Sequence, residues 1–163
     1  MAHATFTPAV FYKDPMAAIA WLQRVFGFEV ASLITDPEGA LAHSELTFRG
    51  ATLSIGGEWE GAIVGPARMR SPATVEGVNT QFVRIQLEDG LDAHCEHARA
   101  EGANVTDGPE DQFYGARTYR VVDPEGHVWN FSQDVRVVSA EEMEKATGLK
   151  FHASLAEAGH ERA

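Results

Sequence analysis

Short runs of β-branched and aromatic residues, broken by two helical stretches of matching design, set the pattern of this chain. Phe6–Tyr12 (FTPAVFY) and Gln81–Leu87 (QFVRIQL) both read as strands. Each leads into a segment of helical spacing, and the two segments are related by a shift of 75 residues: Asp14–Val30, DPMAAIAWLQRVFGFEV, and Asp89–Val105, DGLDAHCEHARAEGANV. Asp14/Asp89, Ala18/Ala93, Arg24/Arg99, Gly27/Gly102 and Val30/Val105 coincide without a gap. The aspartates are expected to cap helix starts, and the glycines to end helices in left-handed caps. Strand-like runs follow each helix: Val30–Thr35, Ala42–Arg49 and Ala51–Ile55, then Asn104–Thr106, Arg117–Asp123 and His127–Gln133. Each half therefore reads as βαβββ, and the fold class is α+β.

The last hairpin turns at Asp123-Pro124-Glu125-Gly126, a type I signal, with Arg49-Gly50 as its counterpart in the first half. Aligning the two glycines puts Leu53 opposite Trp129 and Ile55 opposite Phe131. Gly56–Asn79 is a long connection rich in Gly, Pro, Ala and Ser. Ser139-Ala-Glu-Glu is a capping-box pattern that predicts a helix over Ala140–Thr147, ended by Gly148; Leu149–Ala163 reads as a further turn or frayed chain. The expected organisation is one domain over 1–138 (module one 5–56, linker 57–78, module two 79–135) and a helical tail over 139–163.

Composition narrows the partners. The 24 acidic against 13 basic side chains give a net charge of −11, which opposes binding to a phosphate backbone, so no nucleic-acid partner is expected. The tail holds five acids and three bases, so −9 of that charge belongs to the body. Cys95 is the one cysteine, which excludes an internal disulfide and a multi-cysteine zinc site. No run of 18 apolar residues occurs, and Met1–Thr5 lacks the pattern of a signal peptide; no membrane partner and a cytoplasmic location are expected.

The paired βαβββ pattern, the Asp-x-x-x-Ala helix ending in Gly-Phe-Glu-Val, and the stretch Tyr114–Phe131 (YGARTYRVVDPEGHVWNF) together resemble the vicinal oxygen chelate superfamily. This is the group of glyoxalase I, bleomycin resistance proteins and extradiol dioxygenases. The resemblance covers about residues 5–135 and implies a cupped mixed sheet around an open cavity, commonly in a homodimer. In the family's metalloenzymes four strand positions supply the ligands; here they fall on Thr7, Ser54, Phe82 and Asn130. Phe has no lone pair, Thr and Ser are weak neutral ligands and Asn offers one carbonyl oxygen, so no metal or other cofactor is expected. Gln81 would replace Phe82 inside the cup only if a bulge turned its strand.

Strand alternation sorts the remaining candidates. Leu46, Phe48, Val83, Ile85, Leu87, Trp129 and Phe131 are expected under the helices. The cup is then lined by Phe11, His43, Glu45, Phe82, Arg84, Gln86, Arg120 and Asn130, which are the candidate ligand-binding residues. His43 and Glu45 are the candidate general bases, with Glu45 paired to an arginine as the plainer reading. His94 and His97 read as solvated helix surface, Cys95 as a packed or partly exposed thiol, Trp21 and Phe26 as packing, and His127 as structural. Trp59, Tyr114 and Arg117 are candidates for closing over a ligand or packing on a dimer partner.

The expected function is binding of a small organic molecule in the cup, or its conversion without metal; sequestration of an antibiotic-like compound is one form the resemblance implies. The alternative is a divalent-metal lyase, isomerase or dioxygenase with other ligands, such as His43 and Glu45. The second alternative is a non-catalytic structural or regulatory dimer.

Overall fold

The computed structural model describes residues 6–60 and 67–159. The expected starts at Met1–Thr5, the middle of the linker and the last four residues lie outside the described residues. Module one runs β1 (Ala9–Tyr12), α1 (Pro15–Phe26), β2 (Glu29–Thr35), β3 (Leu41–Phe48) and β4 (Ala51–Gly57). Module two repeats it as β7 (Val83–Leu87), α2 (Leu91–Ala100), β8 (Asn104–Asp111), β9 (Ala116–Val122) and β10 (Val128–Asp134). The sheets have equivalent orders, β1-β4-β3-β2 and β7-β10-β9-β8, with the first strand of each module parallel to the last. The fold is thus α+β, two tandem βαβββ modules.

The connection is not a plain loop. β5 (Trp59–Glu60) and β6 (Arg68–Met69) pair antiparallel, and a 3-10 turn follows at Pro72–Thr74. Beyond module two, Ser139 accepts the Glu142 N–H at the start of α3 (Ala140–Thr147), and Gly148 ends that helix in the left-handed region. No regular helix follows over Leu149–Gly159.

The two long helices start differently. Asp14 Oδ1 accepts the Ala17 N–H at 3.0 Å, and Pro15 sits where no N–H partner is needed. Asp89 does not cap α2. Gly90, at φ +73, takes the cap position, which leaves Asp89 one residue too early to reach the first turn. The Leu91 N–H is satisfied by Gln133 Oε1 of β10 instead, at 3.0 Å, and Asp89 pairs with Arg49 at 3.7 Å.

One core serves both modules. Leu22, Val25 and Phe26 of α1, Leu91 and Cys95 of α2, and Tyr119, Trp129 and Phe131 of the second sheet are all buried in it. Cys95 is fully buried, and burial raises its thiol pKa. His94 is not solvated surface: it is half-buried, packed against Phe26, Phe48 and Phe131. Its Nε2 donates to the Phe26 carbonyl at 3.0 Å and its Nδ1 meets the Tyr119 hydroxyl. His97, which stays exposed, bonds the Arg24 carbonyl at 3.0 Å. Both histidines of α2 thus close C-terminal carbonyls of α1 that the helix itself leaves open.

The Asp-Pro-Glu-Gly turn also ties the modules. Its Gly126 N–H donates to the Asp123 carbonyl at 3.0 Å. Asp123 is buried and accepts from Tyr12 Oη (2.6 Å), Trp129 Nε1 (3.0 Å) and the N–H groups of Glu125 and His127. Glu125 accepts the Lys13 and Asp14 N–H groups at 2.6 and 2.8 Å, capping the approach to α1 from the other module. His127 Nε2 donates to the Phe11 carbonyl at 2.8 Å, a structural role as expected. Among the described residues no helix is long and apolar enough to cross a membrane.

Candidate functional site

Strand register sets the site, because side chains of paired residues share one sheet face. With Trp129 and Phe131 turned into the core, their neighbours face away from the helices. Arg84, Asn130 and Arg120 are successive partners across β7, β10 and β9; Gln86, Ser132 and Thr118 form the next row. Arg84 donates to Ser132 Oγ at 3.2 Å and has no carboxylate partner among the described residues. Arg120 is paired with Asp107 at 3.3 Å. Asn130 Oδ1 is buried and receives no hydrogen bond.

On the first sheet, His43 and Glu45 come together, Nε2 to Oε1 3.8 Å, with both side chains half exposed. No arginine pairs with Glu45 among the described residues. Phe11 faces Gly56 across β1 and β4, and its ring lies so close that a Cβ at Gly56 would fall 2.8 Å from it. Phe82 precedes β7 and is 60% exposed.

The structure does not gather the eight candidates in one pocket. One edge strand of each sheet, β1 and β7, flanks a seam where Gln81 Nε2 donates to the Ala9 carbonyl. A cavity of about 340 Å3 opens at one end of that seam. Phe28, Phe48, Val83 and Ile85 form its apolar wall, with Arg84 and Gln86 among its polar groups. A second cavity, of about 320 Å3, opens where Phe11 meets Arg68, Arg70 and His127. His43, Glu45, Phe82, Arg120 and Asn130 line neither.

Sequence reasoning missed Arg49 and Phe28 at the first cavity, and Arg68 and Arg70 at the second. The i, i+2 spacing of the last two, in an acidic chain, was the available signal. Asp92 and Asp111 hold Arg117 at 2.7 and 2.8 Å on the α2 side of β9. Both bonds raise the guanidinium pKa further, and the Arg117 hydrogen bond lowers that of Asp92. Tyr114 packs edge-on against Phe113, and Trp59 sits opposite Met69 in the small hairpin.

The four family ligand positions do not fit a transition metal. Thr7 and Phe82 are exposed, Ser54 is opposite Ala9, and Asn130 offers one amide oxygen. Gln81 does not replace Phe82: it lies before β7, whose pairing with β10 is unbroken from Val83 to Leu87, and bonds Ala9. Among the described residues no three His, Cys, Asp or Glu side chains converge, so His43 and Glu45 have no third ligand there.

Comparison with known proteins agrees with this architecture. The profile of the Glyoxalase/Bleomycin resistance protein/Dioxygenase superfamily matches residues 1–131. TioX from Micromonospora sp. ML1 has a solved structure that superposes with a TM-score of 0.64 at 26% identity, covering 82% of this chain and 100% of that one. A glyoxalase/bleomycin resistance protein/dioxygenase from Nocardioides superposes at 0.53 with 18% identity, over 83% and 87% of the two chains, which shows a shared fold. An uncharacterized protein of Mycobacterium tuberculosis H37Rv is 28% identical over 140 residues, 86% of this chain and 80% of that one.

Proposed function

The chain belongs to the Glyoxalase/Bleomycin resistance protein/Dioxygenase superfamily, and on that premise we propose that it binds a small organic molecule, without a metal, in the seam cavity at Arg84. The observation that carries this reading is the Arg84 guanidinium. It stands in an apolar cavity with one serine hydroxyl as its only polar partner among the described residues. Apolar walls with a few aimed polar groups suit a ligand with an aromatic or aliphatic body. A carboxylate or carbonyl on that body would meet the guanidinium and Gln86. The donor set at the family's ligand positions supports metal-independent binding. Of the eight residues read from sequence, Arg84 and Gln86 carry this proposal; catalysis by His43 or Glu45 is not part of it.

A thermal-shift panel of aromatic and aliphatic acids, amides and antibiotics tests the site. Compounds that raise the wild-type melting temperature are expected to lose most of that effect in Arg84→Ala. Shifts unchanged in both Arg84→Ala and Phe48→Ala would place the ligand elsewhere.

The reading is of a cytoplasmic homodimer. Val30, Leu33 and Ile34, exposed on the edge strand β2, support pairing of two copies. Sedimentation equilibrium checks it, and a monomer at all concentrations would refute it.

A further inference from the structure

The cavity at Arg84 touches four successive residues of β7: Val83, Arg84, Ile85 and Gln86. Side chains alternate along a strand, so a cavity that meets all four runs along the strand's edge and reaches its backbone. β7 pairs with β10 alone, which leaves its other edge open.

The matching edge in module one is closed. The Pro8 and Tyr12 carbonyls accept the Ser54 and Glu58 N–H groups of the β4 side, so the alternate residues Ala9 and Phe11 turn their backbone groups to the seam. There the Ala9 carbonyl accepts from Gln81 Nε2 at 3.3 Å and the Phe11 carbonyl from His127 Nε2 at 2.8 Å. In the repeat, Arg84 and Gln86 take the places of Ala9 and Phe11, in the same register against the neighbouring strand and with side chains on the same face. Chirality ties a residue's face to its edge, so their N–H and C=O groups face the seam too. The counterparts of Gln81 and His127 are Phe6 and Ala51, whose side chains form no hydrogen bonds, and both line the cavity. Among the described residues nothing bonds the seam-facing groups of Arg84 and Gln86. Thr52, also on the cavity wall, shares that state, since Pro8 has no N–H to give its carbonyl.

We propose that the ligand of this cavity is a short extended peptide that adds a strand to the open edge of β7 and places its terminal carboxylate at Arg84. The proposal rests on the reading of the Arg84 cavity as a binding site, and narrows its ligand to an amide chain. A strand laid there exchanges hydrogen bonds with the backbone of Arg84 and Gln86, and its alternate side chains meet Phe28 and Phe48. The guanidinium matches the carboxylate through paired N–H donors, in a molecule whose net charge of −11 gives anions no general attraction.

The test is an NMR titration of the full-length, 15N-labelled protein with the tetrapeptide N-acetyl-Val-Thr-Val-Thr, its C-terminal carboxylate free, together with backbone hydrogen exchange. In the free protein the Arg84 and Gln86 N–H groups should exchange fast, and that of Ile85, which is turned to β10, slowly. Saturating peptide should slow the first two. Two further peptides carry N-methyl groups on alternate amides, one set for each edge of the strand; the one that loses the donors turned to β7 should bind about tenfold more weakly. Replacing the terminal carboxylate by an amide should also cost about tenfold in the wild type, and nothing more in Arg84→Ala. Slow exchange of Arg84 and Gln86 in the free protein would show the edge already covered and overturn the proposal. Undiminished binding of both N-methylated peptides, or no saturable binding of the parent, would overturn it too. Those results would leave the cavity as a site for small acids, which Arg84→Ala tests with compounds that carry no amide. Unchanged binding of such acids in that variant would sink the broader reading while slowed exchange along β7 still stood.

Discussion

Asp123 takes four hydrogen bonds in the core, and one of its donors, Tyr12, is 111 residues away. Burial, reinforced by the Asp123 charge, pushes the Tyr12 hydroxyl pKa up, so it stays a donor. Asp123→Ala strands the Tyr12 hydroxyl and the Trp129 N–H, and should cost roughly 3–5 kcal/mol in urea denaturation. The turn at Asp123 was readable because Pro and Gly mark it locally. Its partnership with Tyr12 was not, since nothing near either residue encodes a contact between modules. His94 makes the same point: its helix spacing looks like surface, and only the packing of α1 over α2 buries it. That burial lowers its pKa, so the folded protein binds a proton less readily than the unfolded chain, whose histidine titrates near about 6.5. Stability from this group is therefore complete above about pH 6.5 and declines as pH falls toward the depressed folded value. His94→Gln should flatten the fall in melting temperature between about pH 6.5 and 5, as read by circular dichroism.

At the scale of elements, the last turn of each module reaches the backbone or side chain just ahead of the other module's helix. Glu125, in the last turn of module two, holds the backbone ahead of α1; Arg49, in the matching turn of module one, reaches Asp89 ahead of α2. Glu125→Ala should therefore destabilise the protein by about 1–3 kcal/mol, the range for lost hydrogen bonds to a charged group, measured by chemical denaturation. The elements themselves were legible because hydrophobic alternation and the 75-residue repeat report them directly. The Asp89 cap was misread for a local reason: Gly90 takes a left-handed backbone that moves the cap by one residue. β5 and β6 were missed because two-residue strands leave no periodicity to read. The faces of β7, β9 and β10 followed alternation, so Arg84, Asn130 and Arg120 do share a row. The cavities did not follow, because they form between sheet edges that belong to different modules.

Across the whole molecule, an acidic body carries basic groups at both ends of one seam: Arg84 and Arg49 at the apolar cavity, Arg68 and Arg70 at the polar one. The field of the molecule does not attract anions, so recognition of a carboxylate falls to local donors such as Arg84. The motif that most clearly marks the family, Asp123 to Phe131, is spent on holding the modules together, while the family's ligand positions present Thr7, Ser54, Phe82 and Asn130. The central claim is metal-independent binding of a small organic molecule. Its most direct test is isothermal titration of the strongest thermal-shift ligand into protein stripped by chelator, with residual metal counted by mass spectrometry. The predicted result is an unchanged dissociation constant at negligible metal content. Binding that disappears on stripping and returns with one equivalent of a divalent ion would contradict the account.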